Sequence, residues 1–133
     1  MCIRDSIIVI NDYPLVLAEM YSTLSYTGCP PYYLFQGRPT AGNEPYEIPI
    51  VEGWQIFQRA LKMGSGLARR AKYCMSHETG KIEIVGVSNE HMYLRYHQAK
   101  SQSDLGRFFV CRRNDEAFWL DQLEVLDQQL AFA

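Results

Sequence analysis

Twelve residues, GCPPYYLFQGRP at positions 28–39, constrain the fold of this chain more than any other stretch. Gly28 ends the amphipathic segment before it, and Pro30 and Pro31 bar its continuation. Tyr32-Tyr33-Leu34-Phe35 is then a short aromatic run of the kind that is buried inside a parallel sheet. A helix that stops on glycine and passes straight into a buried strand is a building step of α/β folds. In such folds ligands gather just past the carboxyl end of the strand. Here that position belongs to Gln36, Gly37 and Arg38.

The segments on either side continue the pattern. The apolar run at residues 7–10 reads as a buried strand, Asn11-Asp12 as its turn, and Pro14 as the first turn of a helix. Leu17, Met20, Tyr21 and Leu24 recur at helical spacing as far as Gly28. After Arg38 comes a loop rich in Pro, Gly and Asn, placed where a parallel barrel keeps its working loops. Ile50, Trp54, Phe57 and Leu61 mark a second amphipathic helix, closed by Gly64.

From Leu67 the period shortens. Ala71, Tyr73 and Met75 alternate, as do Ile82 and Ile84, and Met92, Leu94 and Tyr96, with Ser88-Asn89-Glu90 as the turn between the last two runs. This predicts an antiparallel hairpin or small sheet. A polar loop at residues 98–106, a strand at 107–112 and a final helix opening at Asn114 or Asp115 and carrying Phe118, Leu120, Leu123 and Leu126 complete the reading. No internal repeat is present.

The first six residues, MCIRDS, read as the translated end of a transposon adapter used in sequencing libraries, and are set aside as a scar. The chain is then expected to be the C-terminal part of a longer protein. A composition of 47% hydrophobic residues supports a core, and a net charge of −2 supplies no field for nucleic acid or an anionic membrane. No run approaches the roughly 18 apolar residues of a membrane span. Cys29, Cys74 and Cys111 are too scattered for a disulfide framework, and Cys2 falls in the scar. Cys74 and His77 have the spacing of a metal-binding pair, but no second pair completes a site. Reduced thiols and a cytoplasmic home are expected.

The order of short motifs resembles a known family. Asn11-Asp12, Gly28, Pro31-Tyr32-Tyr33-Leu34-Phe35-Gln36, Pro49, Glu52-Gly53, Ser65-Gly66-Leu67-Ala68 and Gly80-Lys81 stand in the order and spacing of the C-terminal third of the lysine 2,3-aminomutase family of radical S-adenosylmethionine enzymes. In a branch of aminomutase-like proteins the resemblance continues through KIEIVGV, MYLRYH, RFF and EAFWLD. It implies an α/β fold in which residues 7–66 are the last βα units of a truncated radical SAM barrel. Residues 67–133 would form a small β-rich α+β subdomain with a final helix.

Members of that family hold a 4Fe-4S cluster on a CxxxCxxC motif, cleave S-adenosylmethionine to a radical, and carry pyridoxal phosphate on a lysine. The cluster motif would lie upstream, so no metal ligand is expected here and the fragment alone is expected to be inactive. Lys81, preceded by Gly80, matches the pyridoxal phosphate lysine; without the resemblance it reads as an exposed hairpin lysine. The role requires an unprotonated amine. His77 and Glu78 beside it could serve as an acid/base pair, or simply build a polar turn. The aminomutases of free lysine carry an aspartate where this chain has Arg38, and a second one near Cys74 or Met75. An arginine repels an ammonium and suits a carboxylate or phosphate, so Gln36 and Arg38 imply a small amino-acid-like substrate other than free lysine. The family also implies a homo-oligomer. Two other readings stay open: a radical SAM relative without pyridoxal phosphate, in which Arg38 and His77 serve another substrate, and a non-catalytic binding module.

Overall fold

A computed structural model describes residues 2–5, 14–29, 31–39, 41–42, 47–64, 66 and 69–127. Its strands are β1 (Cys2–Asp5), β2 (Pro31–Gln36), β3 (Lys72–His77), β4 (Gly80–Val87), β5 (His91–Ala99), β6 (Phe108–Arg112) and β7 (Val125–Asp127). Its helices are α1 (Pro14–Tyr26) and α2 (Ile50–Met63). All seven strands lie in one mixed α/β sheet in chain order. β1, β2 and β3 run parallel, and every later pair is antiparallel.

The parallel order β1, β2, β3 with a helix in each crossover puts both helices on one face, because such crossovers are right-handed. The side chains agree. Leu34 and Gln36 of β2, Tyr73, Met75 and His77 of β3, Ile82 and Ile84 of β4, Met92 and Leu94 of β5, and Phe109 and Cys111 of β6 are all buried. They alternate along each strand, and across strands they meet in register: Gln36 beside Met75, Met75 beside Ile82, Ile84 beside Leu94, Leu94 beside Phe109. Leu17, Ala18 and Tyr21 of α1 and Ile50, Ile56, Phe57 and Ala60 of α2 close the core over this face. Trp54 and Leu61 sit half-buried at its margin, so the core side of α2 is turned toward Gly53 and Ile56 relative to the predicted stripe.

Gly28 acts as the predicted stop. Its φ is +80°, and the Cys29 N–H reaches back 3.0 Å to the Leu24 carbonyl, closing α1 before β2 begins.

Residues 2–5 form β1 beside β2, since an edge strand needs only the free N–H and C=O groups of its neighbour; the strand expected at residues 7–10 lies outside the described residues. β2 pairs with β3, and a single core runs from Leu17 to Leu123. Two expectations differ from the structure. The final helix does not form. The Ala117 carbonyl accepts from Ile50 N–H at 2.9 Å, the Phe118 carbonyl accepts from Gln36, and the Phe118 N–H donates to Gln122 Oε1 at 2.7 Å, so the groups a helix would use are engaged elsewhere. That segment instead makes one 3₁₀ turn, Leu120–Gln122, and then β7. Finally, Cys29 is disulfide-bonded, against the expectation of reduced thiols, whereas Cys74 and Cys111 are free and buried.

Candidate functional site

At the carboxyl end of β2, Gln36 is buried and fully engaged. Its Nε2 donates to the Ile48 carbonyl at 2.5 Å and the Phe118 carbonyl at 3.1 Å, and its Oε1 accepts from the Tyr73 hydroxyl. The amide thus ties the loop before α2 and the segment after β6 to the centre of the sheet. It points to the helix side and has no donor left for a ligand. Gln36 is a brace, not the substrate contact that its place at the strand end suggested.

The opposite face of the sheet carries a cluster of charged and aromatic side chains. Among the described residues no helix covers it, yet Tyr33 and Cys74 on it are buried. Lys81 lies on β4 directly across from Ser76, and its Nζ sits 4.7 Å from the centre of the Tyr33 ring and 5.8 Å from that of Phe35. An ammonium over aromatic faces is attracted by their quadrupoles. Gly80 is required for this placement: at φ +145° a Cβ would stand 2.2 Å from the Gln98 carbonyl oxygen of β5. The Gly80-Lys81 dipeptide therefore has a local reason, since glycine lets β5 close against the turn that presents the lysine.

Arg38, exposed just past β2, donates to Ser76 Oγ at 2.9 Å. Ser76 is the residue paired with Lys81, so the guanidinium and the lysine flank one serine on the same face. His77 and Glu78 do not join them. His77 points to the helix side, buried beside Trp119. Its Nδ1 accepts the Thr79 N–H at 3.2 Å, which leaves Nε2–H to donate to Asp121 Oδ1 at 2.9 Å. It staples the β3–β4 turn to the 3₁₀ segment. Glu78 is exposed in that turn. Cys74 and His77 lie on opposite faces of β3 and cannot converge on a metal.

The open face also carries Tyr33 and Lys72, and sequence reasoning missed its Glu83, Arg95 and His97. Arg95 and Glu83 form an ion pair at 2.5 Å. His97 stacks edge-on against Tyr33, with ring centres 5.6 Å apart. The signal was available, because Lys81 and Glu83, like Arg95 and His97, occupy the positions that alternate with the core residues. The electrostatics follow from crowding. Burial, then the Tyr32 hydrogen bond, push the Tyr33 hydroxyl up to about 12. Burial, then Glu83, push the Cys74 thiol up to about 12. Burial, then the Lys72 charge, hold His97 below its ordinary value.

Such a face fits a flat, anionic aldehyde: an amine on an aromatic floor, with Lys72, Arg95 and Arg38 as cations around it. It does not fit an iron-sulfur cluster. Among the described residues no three His, Cys, Asp or Glu side chains converge, and both free thiols are held protonated by burial.

No protein-family model matches the chain. It is 49% identical over 112 residues to a protein of Aquifex aeolicus (strain VF5) named "Putative L-lysine 2,3-aminomutase". The match covers 84% of this chain and 30% of that protein, so the chain spans about a third of its relative's length. Among the described residues no helix is long and apolar enough to cross a membrane.

Proposed function

Taking as premise that the chain resembles the lysine 2,3-aminomutase family over most of its length, we propose that it is the C-terminal portion of an aminomutase-like radical S-adenosylmethionine enzyme. Its reaction is a pyridoxal-phosphate-assisted 1,2-amino shift on a small amino-acid-like substrate other than free lysine. In this reading residues 7–66, with β2 among them, are the last βα units of the barrel, residues 67–133 are the β-rich subdomain joined to them through β3, and the open face of the sheet lines the interior. The 4Fe-4S cluster and S-adenosylmethionine belong to the remainder of the protein.

The observation that carries the reading is the position of Lys81, whose amine lies over Tyr33 on the face away from the helices. The cation–π attraction that holds the chain across β3 onto the aromatic pair of β2 also keeps its amine at the centre of the open face. Pyridoxal phosphate, when bound, supplies an electron-withdrawing ring that carries the migrating amino group. The chain's own residues do the rest. Lys81 provides the attachment amine, and Tyr33 and Phe35 form the floor beneath it. Gly80 holds β4 tight to β5, and Gln36 and His77 brace the strand ends from behind. Arg38, fixed by Ser76 beside Lys81, is placed to take the carboxylate or phosphate of a bound anion. It stands against an ammonium, which argues for a substrate class other than lysine.

The test is the visible absorbance of the attached cofactor in the full-length protein. Lys81→Ala abolishes it on this reading; an undiminished signal in the mutant refutes the assignment.

A further inference from the structure

We propose that His97, and not His77, is the acid/base catalyst that serves the Lys81 amine. The inference rests on the assignment of Lys81 above and extends it to a residue of β5.

The backbone carries the first part. β4 and β5 pair Lys81 with Gln98 and then Ile82 with Tyr96, so His97 is the extra residue of a β-bulge directly opposite the Lys81–Ile82 step. A bulge adds one unpaired residue and re-aims its side chain, and such devices collect next to active sites. Here the bulge delivers the imidazole to Tyr33, ring centres 5.6 Å apart, the same ring over which Lys81 Nζ sits at 4.7 Å. Two separate strands thus bring a primary amine and an imidazole onto one tyrosine.

The surroundings decide which protonation state His97 offers. It is faced by Lys72 from β3, Lys81 and Glu83 from β4, Arg95 on its own strand, and Tyr33 from β2. Burial and the three cations disfavour imidazolium, and Glu83, itself bound by Arg95, opposes them only in part. The resting ring is neutral and can accept a proton.

The step it serves balances. Nζ, unprotonated, forms a bond to the carbonyl carbon of an aldehyde and gains positive charge, so its N–H becomes acidic enough for a neutral imidazole. His97 carries the two Nζ protons, one after the other, to the carbonyl oxygen, and that oxygen departs as water. The nitrogen–carbon double bond replaces the carbon–oxygen one, and His97 returns to its neutral form. No oxidant or reductant is needed. His77 cannot do this, since its ring nitrogens are engaged by Thr79 and Asp121 on the other face of the sheet.

The experiment measures the rate at which pyridoxal phosphate attaches to the full-length, cofactor-free protein as a function of pH. In His97→Gln the rate near neutrality falls by about 100-fold, in the range of general acid–base catalysis. The inflection contributed by the imidazole disappears, leaving on the acid side only the dependence set by the nucleophilic amine, and the final extent of attachment is retained. Added imidazole restores part of the rate in His97→Ala. Unchanged rate and pH profile in His97→Gln overturn the role of His97 while leaving Lys81 in place; no attachment to the wild type overturns both. A second measurement does not depend on the His97 variants folding. The ring signals of His97, followed by NMR, titrate at higher pH in Lys81→Met, where one neighbouring cation is gone. An unmoved titration overturns the proximity on which the proposal stands.

Discussion

Gly53→Ala is the sharpest test of how the strand ends are braced. In a solvated helix interior this change gains about 1 kcal/mol, because alanine loses less backbone entropy. Here the added Cβ would stand 2.2 Å from the Tyr73 hydroxyl oxygen and 2.9 Å from its Cζ, with Gln36 Oε1 next at 3.5 Å. Tyr73 is buried and cannot swing aside. Overpacking of this kind costs about 1–3 kcal/mol. Displacing the hydroxyl leaves it and Gln36 Oε1 buried without each other, for about 1–3 kcal/mol more. The net expectation is a loss of about 3 kcal/mol, or roughly 10 °C in melting temperature for a chain of this size. Urea denaturation followed by circular dichroism measures it. The double mutant Gly53→Ala, Tyr73→Phe, which removes the clashing oxygen, recovers at least about 1 kcal/mol of coupling. A neutral or stabilising Gly53→Ala would mean that the Gln36–Tyr73–Gly53 contact is not tight, and that Gln36 is free to do something else.

Two further outcomes follow from the same geometry. Gly80→Ala forces a Cβ into the Gln98 carbonyl at a backbone angle that suits glycine, so the β4–β5 pairing loosens at its turn; hydrogen exchange at the Lys100 amide, which donates to the Thr79 carbonyl at 3.1 Å, quickens by at least about tenfold, and unchanged protection counts against the close approach. Stability falls as pH rises past about 9. The unfolded chain ionises its thiols near 9.0 and tyrosines near 10.0, whereas the fold holds Cys111 protonated to about 11 and Cys74 and Tyr33 to about 12, so protons leave on unfolding and stability present below those unfolded values is lost above them. A flat urea midpoint between pH 7 and about 10.5 contradicts the burial of these groups.

The helix stop at Gly28, the aromatic strand after it and the alternating strands from Ala71 to Tyr96 were legible because each rests on local chemistry: a left-handed glycine, a proline bar, a period of two. The last helix was misread for the opposite reason. Phe118, Leu120 and Leu123 have helical spacing, but their backbone is claimed from afar by Ile50 and Gln36, and no local pattern announces that. The candidate site divides in the same way. Lys81 and Gly80 were found through the resemblance. Gln36 was read as a substrate contact and His77 as an acid/base candidate, yet strand parity turns both to the core side, where they brace. His97 was overlooked because the bulge that aims it is a property of pairing between two strands. The alternation of Lys81, Glu83, Arg95 and His97 against the core residues was the one sequence signal that could have found it.

The central claim is that the amine of residue 81 is the attachment point of an aldehyde cofactor on the open face of the sheet. Borohydride reduction of the full-length protein loaded with pyridoxal phosphate, followed by proteolysis and mass spectrometry, fixes the label where it was bound. The account predicts a phosphopyridoxyl group on the peptide containing Lys81. A label confined to another lysine, or no label on a protein that binds the cofactor, contradicts it.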